Sequence, residues 1–518
     1  MSNPVFVDAE GPSAEIASCW KREQPSMEHA IMQTDEVIVK ERACQSKDRA
    51  DAGGQTDVPE YSCDGEGVQT GGLEAFLARV APMMEDQIES NLKSHAFEGY
   101  EVEWEEQRTT VVHLHTLTRP VSKDQTPMPV SCVSWNANGQ TLAIGYGCMD
   151  HQDLCSHRAY ICAWNLSRKF IKEDCPDTVI ESPACVMSLA FHPTDPGLLA
   201  SGSFNGGVLL WRVGQSDSSP IAENVLSRHG HREPVMQLTW MYDALERSHS
   251  LLSVAADGNA LMWSQANNLA VPTAALELTV GSAARAGLSR GYKRGRNMGG
   301  TAVGSFSKDP GSFVVGTESG GLLKCLVNFS EITARRRGKD PTEPPTTGLG
   351  MKVTFAFEAH AGPVFGVSCS PFARKVFLSV SADCQLRLYN TLRASPIVTL
   401  EPSPAELYST AWSFSRPLVF AAGTADGHVH VYDLGRDRVA PAVRLSTFAE
   451  EGDKRDKTAQ GKAGQGKAVY SVAFNHVFSE LLAAGDAQGS VRVWQLPSHL
   501  SLAMAGEEAS LEFMSEHQ

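Results

Sequence analysis

The sequence predicts an all-β fold, a seven-bladed β-propeller over residues 109–497, preceded by a disordered acidic arm and a short amphipathic helix. Three observations predict it: a strand pattern that recurs at a fixed interval, Asp-Gly turns within the copies, and acidic charge crowded into the first quarter of the chain. The 518 residues exceed the ~100–200 of an ordinary domain, although all-β rings run longer as single units. A hydrophobic content of 42% is enough for a substantial core.

The recurring unit is a strand ending in a large residue, then a second apolar strand, a Gly/Asp turn and a third strand. Val186–Phe191 precedes Trp211, Val364–Cys369 precedes Tyr389, Leu407–Trp412 precedes Tyr432, and Val469–Phe474 precedes Trp494. In all four copies the interval from the end of the first strand to the later aromatic is 20 residues. Three looser copies run from Trp135 to Trp164 with an insertion near residues 148–157, from Trp240 to Trp263, and from Phe306 to Cys325. Apolar residues alternate with period two, as half-buried strands require. Turns such as Ala256-Asp257-Gly258-Asn259 and Ala425-Asp426-Gly427-His428 suit tight hairpins, where both central residues are expected at positive φ. A three-stranded unit cannot bury both faces alone, but seven stacked radially can.

This pattern resembles the WD-repeat family, whose blades run ~40–45 residues. The resemblance covers residues 109–497, and His360 with Asp383 resembles the family's structural His–Asp pair. Only Tyr432-Asp433 approaches the family's closing dipeptide. The β-branched run at residues 109–118 is expected to close the ring, outermost on the last blade beside residues 491–496.

Charge and cysteine usage narrow the function. Residues 1–128 hold 11 Lys and Arg against 24 Asp and Glu, a net of −13, so the remainder carries only −2 of the total −15. No basic stripe for neutralising phosphates follows from this, and nucleic acid is not an expected partner. Two basic clusters, at residues 285–296 and at Arg335, Arg336, Arg337 and Lys339, read either as a patch for an acidic partner or, preferably, as solvated loops. The first ten residues lack the basic and apolar regions of a secretory signal, and no stretch reaches the ~20 apolar residues of a membrane span, so neither export nor membrane insertion is expected. The 12 cysteines are scattered without a C-x-x-C pair, which suits reduced thiols in a cytosol-facing protein rather than disulfides or a zinc site. The segment from Gly461 to Lys467 fits G-x-x-x-x-G-K, but Ala468 follows in place of a hydroxyl residue. A charged run precedes it and a strand follows it, so no phosphate cradle, cofactor or catalytic residue is expected.

The arm, residues 1–71, is too polar to fold alone. It repeats a short segment: Met32-Gln33-Thr34-Asp35, Gly54-Gln55-Thr56-Asp57 and Val68-Gln69-Thr70-Gly71, with Cys44-Gln45-Ser46 as a degraded copy. Further Gln-Thr pairs occur at 125–126 and 140–141, so the clustering, and not the dipeptide, carries the signal. Such segments suit strand addition, because adjacent Gln and Thr point to opposite faces and can each fill a pocket. Several weak sites on one chain raise avidity. Residues 72–94 follow, with Leu73, Phe76, Leu77, Val80, Met84, Ile88 and Leu92 at three- and four-residue steps on one helical stripe. Pro82 would kink a continuous helix or open a second one. The stripe packs on the propeller or enters a groove on another subunit. A connector at 95–108 leads to the ring, and residues 498–518 form a C-terminal tail.

Residues 94–107 and 481–496, with the arm–helix–propeller order, resemble the WD-repeat intermediate chains of cytoplasmic dynein-2. The Gln-Thr segments resemble anchors recognised by the eight-kilodalton dynein light chain. The resemblance implies a non-catalytic motor subunit whose propeller grips the tail of the dynein-2 heavy chain and whose helix engages a roadblock-type light chain. It further implies the other dynein-2 intermediate chain and a Tctex-type light chain as partners, although no segment marks a site for the latter. Retrograde intraflagellar transport and cilium assembly would be its role, in the cytoplasm, the cytoskeleton and the cilium (axoneme and basal body). Two other readings compete. An enzyme would need a catalytic constellation that the sequence does not show. A substrate receptor of a ubiquitin ligase, or a general scaffold, remains the alternative. Such receptors resemble W-D-x-R, yet Gly435 stands at the Arg position after Tyr432-Asp433-Leu434.

Overall fold

A computed structural model describes residues 70–93, 110–120, 127–149, 151, 154–215, 219–225, 227–279, 298–338, 350–448, 468–504 and 506–517. The chain divides into two compact units, residues 1–102 and 103–518.

In the first unit the described element is helix α1, Thr70–Lys93, which runs unbroken through Pro82. Pro82 removes one backbone donor and crowds the preceding turn, yet the helix continues to Lys93 and no second helix begins there.

In the second unit, seven antiparallel sheets of four strands each form the ring. Blade one spans residues 130–182, blade two 186–224, blade three 235–277, blade four 300–356, blade five 364–400 and blade six 407–446. Blade seven takes three strands from residues 469–495 and its fourth from Val112–Thr118. The first strand of each blade is innermost, and together they line one central channel.

The 20-residue interval has a physical origin in cross-strand register. In blade two Phe191 lies opposite Leu199, which lies opposite Trp211, so three large residues form one row across the sheet. Blade six repeats the row as Trp412, Phe420 and Tyr432, and blade seven as Phe474, Leu482 and Trp494. Blade four is off by one residue from the expected match. Its row is Ser305, Phe313 and Cys325, because the register shifts between Ser305 and Phe306. The turns also differ from expectation. Gly258 and Gly427 take φ of +79° and +85°, whereas the preceding Asp257 and Asp426 keep negative φ. At the matching place in blade five Cys384 has φ +65°, a left-handed conformation that disfavours a β-carbon.

An innermost strand has a free edge facing the channel, so its backbone N–H groups need acceptors. Neighbouring blades supply them. The N–H of Phe191 donates to Ser134 Oγ (3.1 Å), that of Val303 to Gln237 Oε1 (2.8 Å), that of Trp412 to Ser368 Oγ (3.2 Å) and that of Val472 to Ser409 Oγ (3.0 Å). The same bond crosses the chain ends, where the N–H of Val133 in blade one donates to Ser471 Oγ in blade seven at 3.1 Å.

Ring closure is therefore made twice, at the channel and at the rim. Val112–Thr118 runs antiparallel to Ser490–Gln495, with a bulge between His113 and His115. Leu117 is fully buried in a cluster with Val491, Val493, Val130 and Ile144, which joins the last blade to the first.

Residues 498–504 and 506–517, within the segment set apart above as a tail, carry folded structure. Helix α2, Phe329–Gly338, lies between the third and fourth strands of blade four. Helices α3 (Ser498–Ser501) and α4 (Glu507–His517) follow the last strand. Leu500 joins the core of blades six and seven, and Leu511 and Met514 join that of blades five and six. Arg416, 2% exposed, fastens the segment. Its guanidinium pairs with Glu507 through both Nε (3.1 Å) and Nη2, with Asp433 at 3.2 Å, and donates to the His499 carbonyl. Burial alone would lower the Arg416 pKa, but these carboxylates hold it above the usual value, so the cation persists.

Two outcomes follow from this packing. Leu117→Ala should cost about 2–4 kcal/mol by urea denaturation, since it empties a fully buried site at the seam. Arg416→Ala should cost about 3–5 kcal/mol by the same measurement, because Asp433 and Glu507 would stay buried without their counter-charge. A loss under about 1 kcal/mol would mean that α4 docks independently of Arg416.

Candidate functional site

Blades three and five each bring together a serine, a histidine and an aspartate. Ser253 Oγ lies 2.7 Å from His231 Nε2, and His231 Nδ1 lies 3.2 Å from Asp257 Oδ2. Ser379 Oγ lies 2.7 Å from His360 Nε2, and His360 Nδ1 lies 2.9 Å from Asp383 Oδ2. The spacing matches a nucleophile–base–orienter relay, but exposure argues otherwise. Both serines are 0% exposed, and Ser253 Oγ accepts the indole N–H of Trp263 at 2.7 Å. These hydroxyls cannot meet a substrate, so the relays are structural ties between a blade-entry loop and a hairpin turn. Burial lowers the His360 pKa and favours a neutral ring, despite the opposing pull of Asp383. Burial would raise Asp257 and Asp383, but their histidine partners outweigh it and leave both carboxylates below their ordinary value. His360 with Asp383 is the pair expected from sequence. His231 stands four residues before Val235 as His360 stands before Val364, a spacing that would have found the second pair.

The candidate docking residues divide by location. Met32, Gln33, Thr34, Gln55, Thr56 and Gln69 lie outside the described residues, as do residues 285–296, Lys339 and 461–467. Thr70 opens α1. The helix brings Phe76, Leu77, Val80, Met84 and Ile88 to one stripe and includes Leu73 and Leu92 in its backbone. Phe76, Leu77, Met84 and Ile88 are 49–59% exposed. Arg335, Arg336 and Arg337 fall in the last turn of α2 rather than in a loop, where positive charge suits the helix dipole.

The two faces of the propeller differ. One is made by the first-to-second and third-to-fourth strand connections, and it carries α3 and α4. Exposed there are Phe170, Leu245, Leu392, Phe414, Val439 and, on α4, Phe513, each between 49% and 83% accessible. The other face carries the His–Asp pairs, with Leu154 as its most exposed large apolar residue at 69%. That second face also holds His151, Cys155, His157 and Cys185, the one group among the described residues composed like a metal site. The scattered cysteine spacing points instead to reduced thiols without a zinc site. No helix among the described residues is long and apolar enough to cross a membrane.

Comparison with known proteins agrees with the repeat architecture. Residues 302–444 match the family model described as the dynein axonemal intermediate chain 3 WD40 domain, and residues 175–212 match the WD domain, G-beta repeat. The chain is 38% identical over 492 residues to mouse cytoplasmic dynein 2 intermediate chain 2, covering 93% of this chain and 87% of the relative. Identity to the human protein of the same name is 37% over 440 residues, covering 83% and 76%. A ciliary dynein intermediate chain 2 from Heliocidaris crassispina is 27% identical over 431 residues, 82% of this chain and 55% of that one. Seven blades, the repeat matches and identity along nearly the whole length place the chain in the WD-repeat dynein intermediate chains, in the family of cytoplasmic dynein 2 intermediate chain 2.

Proposed function

We propose that the chain is a non-catalytic intermediate chain of the dynein-2 motor, which holds other subunits in place and supports retrograde intraflagellar transport and cilium assembly. The observation that carries this reading is the exposed apolar stripe of α1. A 24-residue helix gains little from propensity alone, and an apolar stripe normally gains its stability by burial. Leu73, Phe76, Leu77, Val80, Met84, Ile88 and Leu92 together suit a groove on a roadblock-type light chain.

The remaining assignments rest on chemistry of the same kind. Met32-Gln33-Thr34, Gln55-Thr56 and Gln69-Thr70 are sites for strand addition to the eight-kilodalton light chain, and their repetition on one chain raises avidity. The propeller takes the heavy-chain tail on the face bearing α3 and α4, where exposed apolar side chains are most numerous. The other dynein-2 intermediate chain and a Tctex-type light chain complete the assembly. Its working place is the cytoplasm, the cytoskeleton and the cilium, including axoneme and basal body.

Pull-downs from ciliated cells separate these contacts. Changing Gln33-Thr34, Gln55-Thr56 and Gln69-Thr70 to Ala pairs should abolish recovery of the eight-kilodalton chain and leave the heavy chain bound. Phe76→Asp with Leu77→Asp should reduce roadblock-type chain recovery at least about tenfold, the loss expected when central apolar anchors are removed. Phe414→Asp with Leu392→Asp should instead release the heavy chain, with circular dichroism unchanged. Undiminished heavy-chain recovery from that last variant would rule out the proposed face.

A further inference from the structure

Met149, at the start of the insertion that lengthens blade one, and Phe204 of blade two both line the channel wall. The insertion carries His151, Cys155 and His157 to Cys185, in the loop that leads into blade two. One ligand-capable atom of each lies within 4.8 Å of the others. His151 Nε2 and His157 Nδ1 are 3.2 Å apart, and Cys155 Sγ is 3.6 Å from His157 Nδ1. A tetrahedral zinc ion, with Zn–N of about 2.05 Å and Zn–S of about 2.3 Å, separates two nitrogens by roughly 3.3 Å and a nitrogen from a sulfur by roughly 3.6 Å. Both distances therefore match edges of one coordination tetrahedron. A hydrogen bond between the imidazoles would explain the first separation but not two sulfurs gathered beside it.

Backbone donors hold both sulfurs in fixed positions. The backbone N–H of Cys185 donates to Cys155 Sγ at 3.3 Å, and that of Cys148 donates to Cys185 Sγ at 3.4 Å. Donors of this kind orient a sulfur ligand. Asn205 grips the insertion at both ends of its amide, accepting from the Cys155 N–H at 2.8 Å and donating to the Cys155 carbonyl at 2.9 Å. It stands 19 residues after Val186, as Asp383 stands after Val364 and Asp426 after Leu407. Blade two thus replaces the turn carboxylate with an amide that holds the neighbouring loop. The Phe204 ring lies against His151, centroids 4.0 Å apart, and fixes that imidazole from behind.

We propose that His151, Cys155, His157 and Cys185 form a structural zinc site that staples the blade-one insertion to blade two. Two thiolates and two imidazoles select zinc over magnesium or calcium, which require oxygen ligands. Four protein ligands fill the tetrahedron and leave no position for a substrate. Cys155 and Cys185 are buried while His157 is exposed, so the ion is shielded on the sulfur side and reached from solvent on the other.

The test uses the full chain, purified without chelator and analysed by mass spectrometry of its metal content. About one zinc per chain is expected, falling below about 0.2 in Cys155→Ser with Cys185→Ser. His157→Ala, at an exposed position, keeps the test decisive if the double variant fails to fold. It should retain native circular dichroism yet release zinc to a chromophoric chelator at least about tenfold more readily. Cobalt(II) exchanged into the protein should show the intense visible bands and thiolate charge-transfer absorption of a tetrahedral centre. Three results would overturn the proposal: zinc below about 0.2 per unaltered chain, zinc content and release that neither variant changes, or a Cys155–Cys185 disulfide in non-reduced peptide maps.

Discussion

A circle of sheets is stable only if it has no loose edge, and here that condition is met by residues more than 350 positions apart in the chain. Val112–Thr118 supplies the outer strand that blade seven cannot make from its own end, and Leu117 fills the seam between the last blade and the first. At the channel the same seam is crossed by the Val133 amide and Ser471 hydroxyl. Each of the other blade pairs depends on this closure, since an opened ring would expose apolar faces on both blades at the break. Burial of the seam and satisfaction of the inner strand amides are thus a single constraint, and the fold follows from it.

The parts of this structure legible in the sequence are those governed by local periodicity. The interval of 20 residues reports a row of large side chains across three strands, so blades two, five, six and seven can be read directly. Blade four departs because a bulge moves the row from Phe306 to Ser305, and bulges leave little trace in residue order. At Asp257-Gly258 and Asp426-Gly427 only the glycine takes positive φ, so residue type marks the turn but not the conformation of its aspartate. Features joined through space were less visible. Arg416 and Glu507 are separated by 91 positions, and a lone arginine after a Phe-Ser dipeptide carries no mark of burial. His151, Cys155, His157 and Cys185 leave no paired-cysteine spacing in the sequence because the fourth member arrives only after a whole strand pair has passed.

Physical roles are partitioned along the chain. Every blade of the ring is packed on two neighbours, and its buried His–Asp pairs tie loops to hairpin turns. On helix α1 the side chains of Phe76, Leu77, Met84 and Ile88 are about half exposed, and its sequence includes a proline that an isolated helix would not favour. The face bearing α3 and α4 likewise leaves Phe170, Leu392 and Phe414 accessible, so exposed apolar side chains occur in both units. Such exposure supports an assembly role more directly than the propeller fold does, since that fold serves many functions.

The position of the closing strand also governs how the protein is made. During synthesis Val112–Thr118 emerges long before Ser490–Gln495, its strand partner among the described residues. For most of translation the nascent chain must carry an unpaired β-strand and a growing stack of blades with an open end, the kind of surface that invites wrong pairing. Completion of the ring is necessarily a late, long-range event, slow by the logic of loop closure. Ribosome-associated chaperones would have the longest work on this one segment, and the yield of finished subunit would depend on how well it is kept apart until the chain ends.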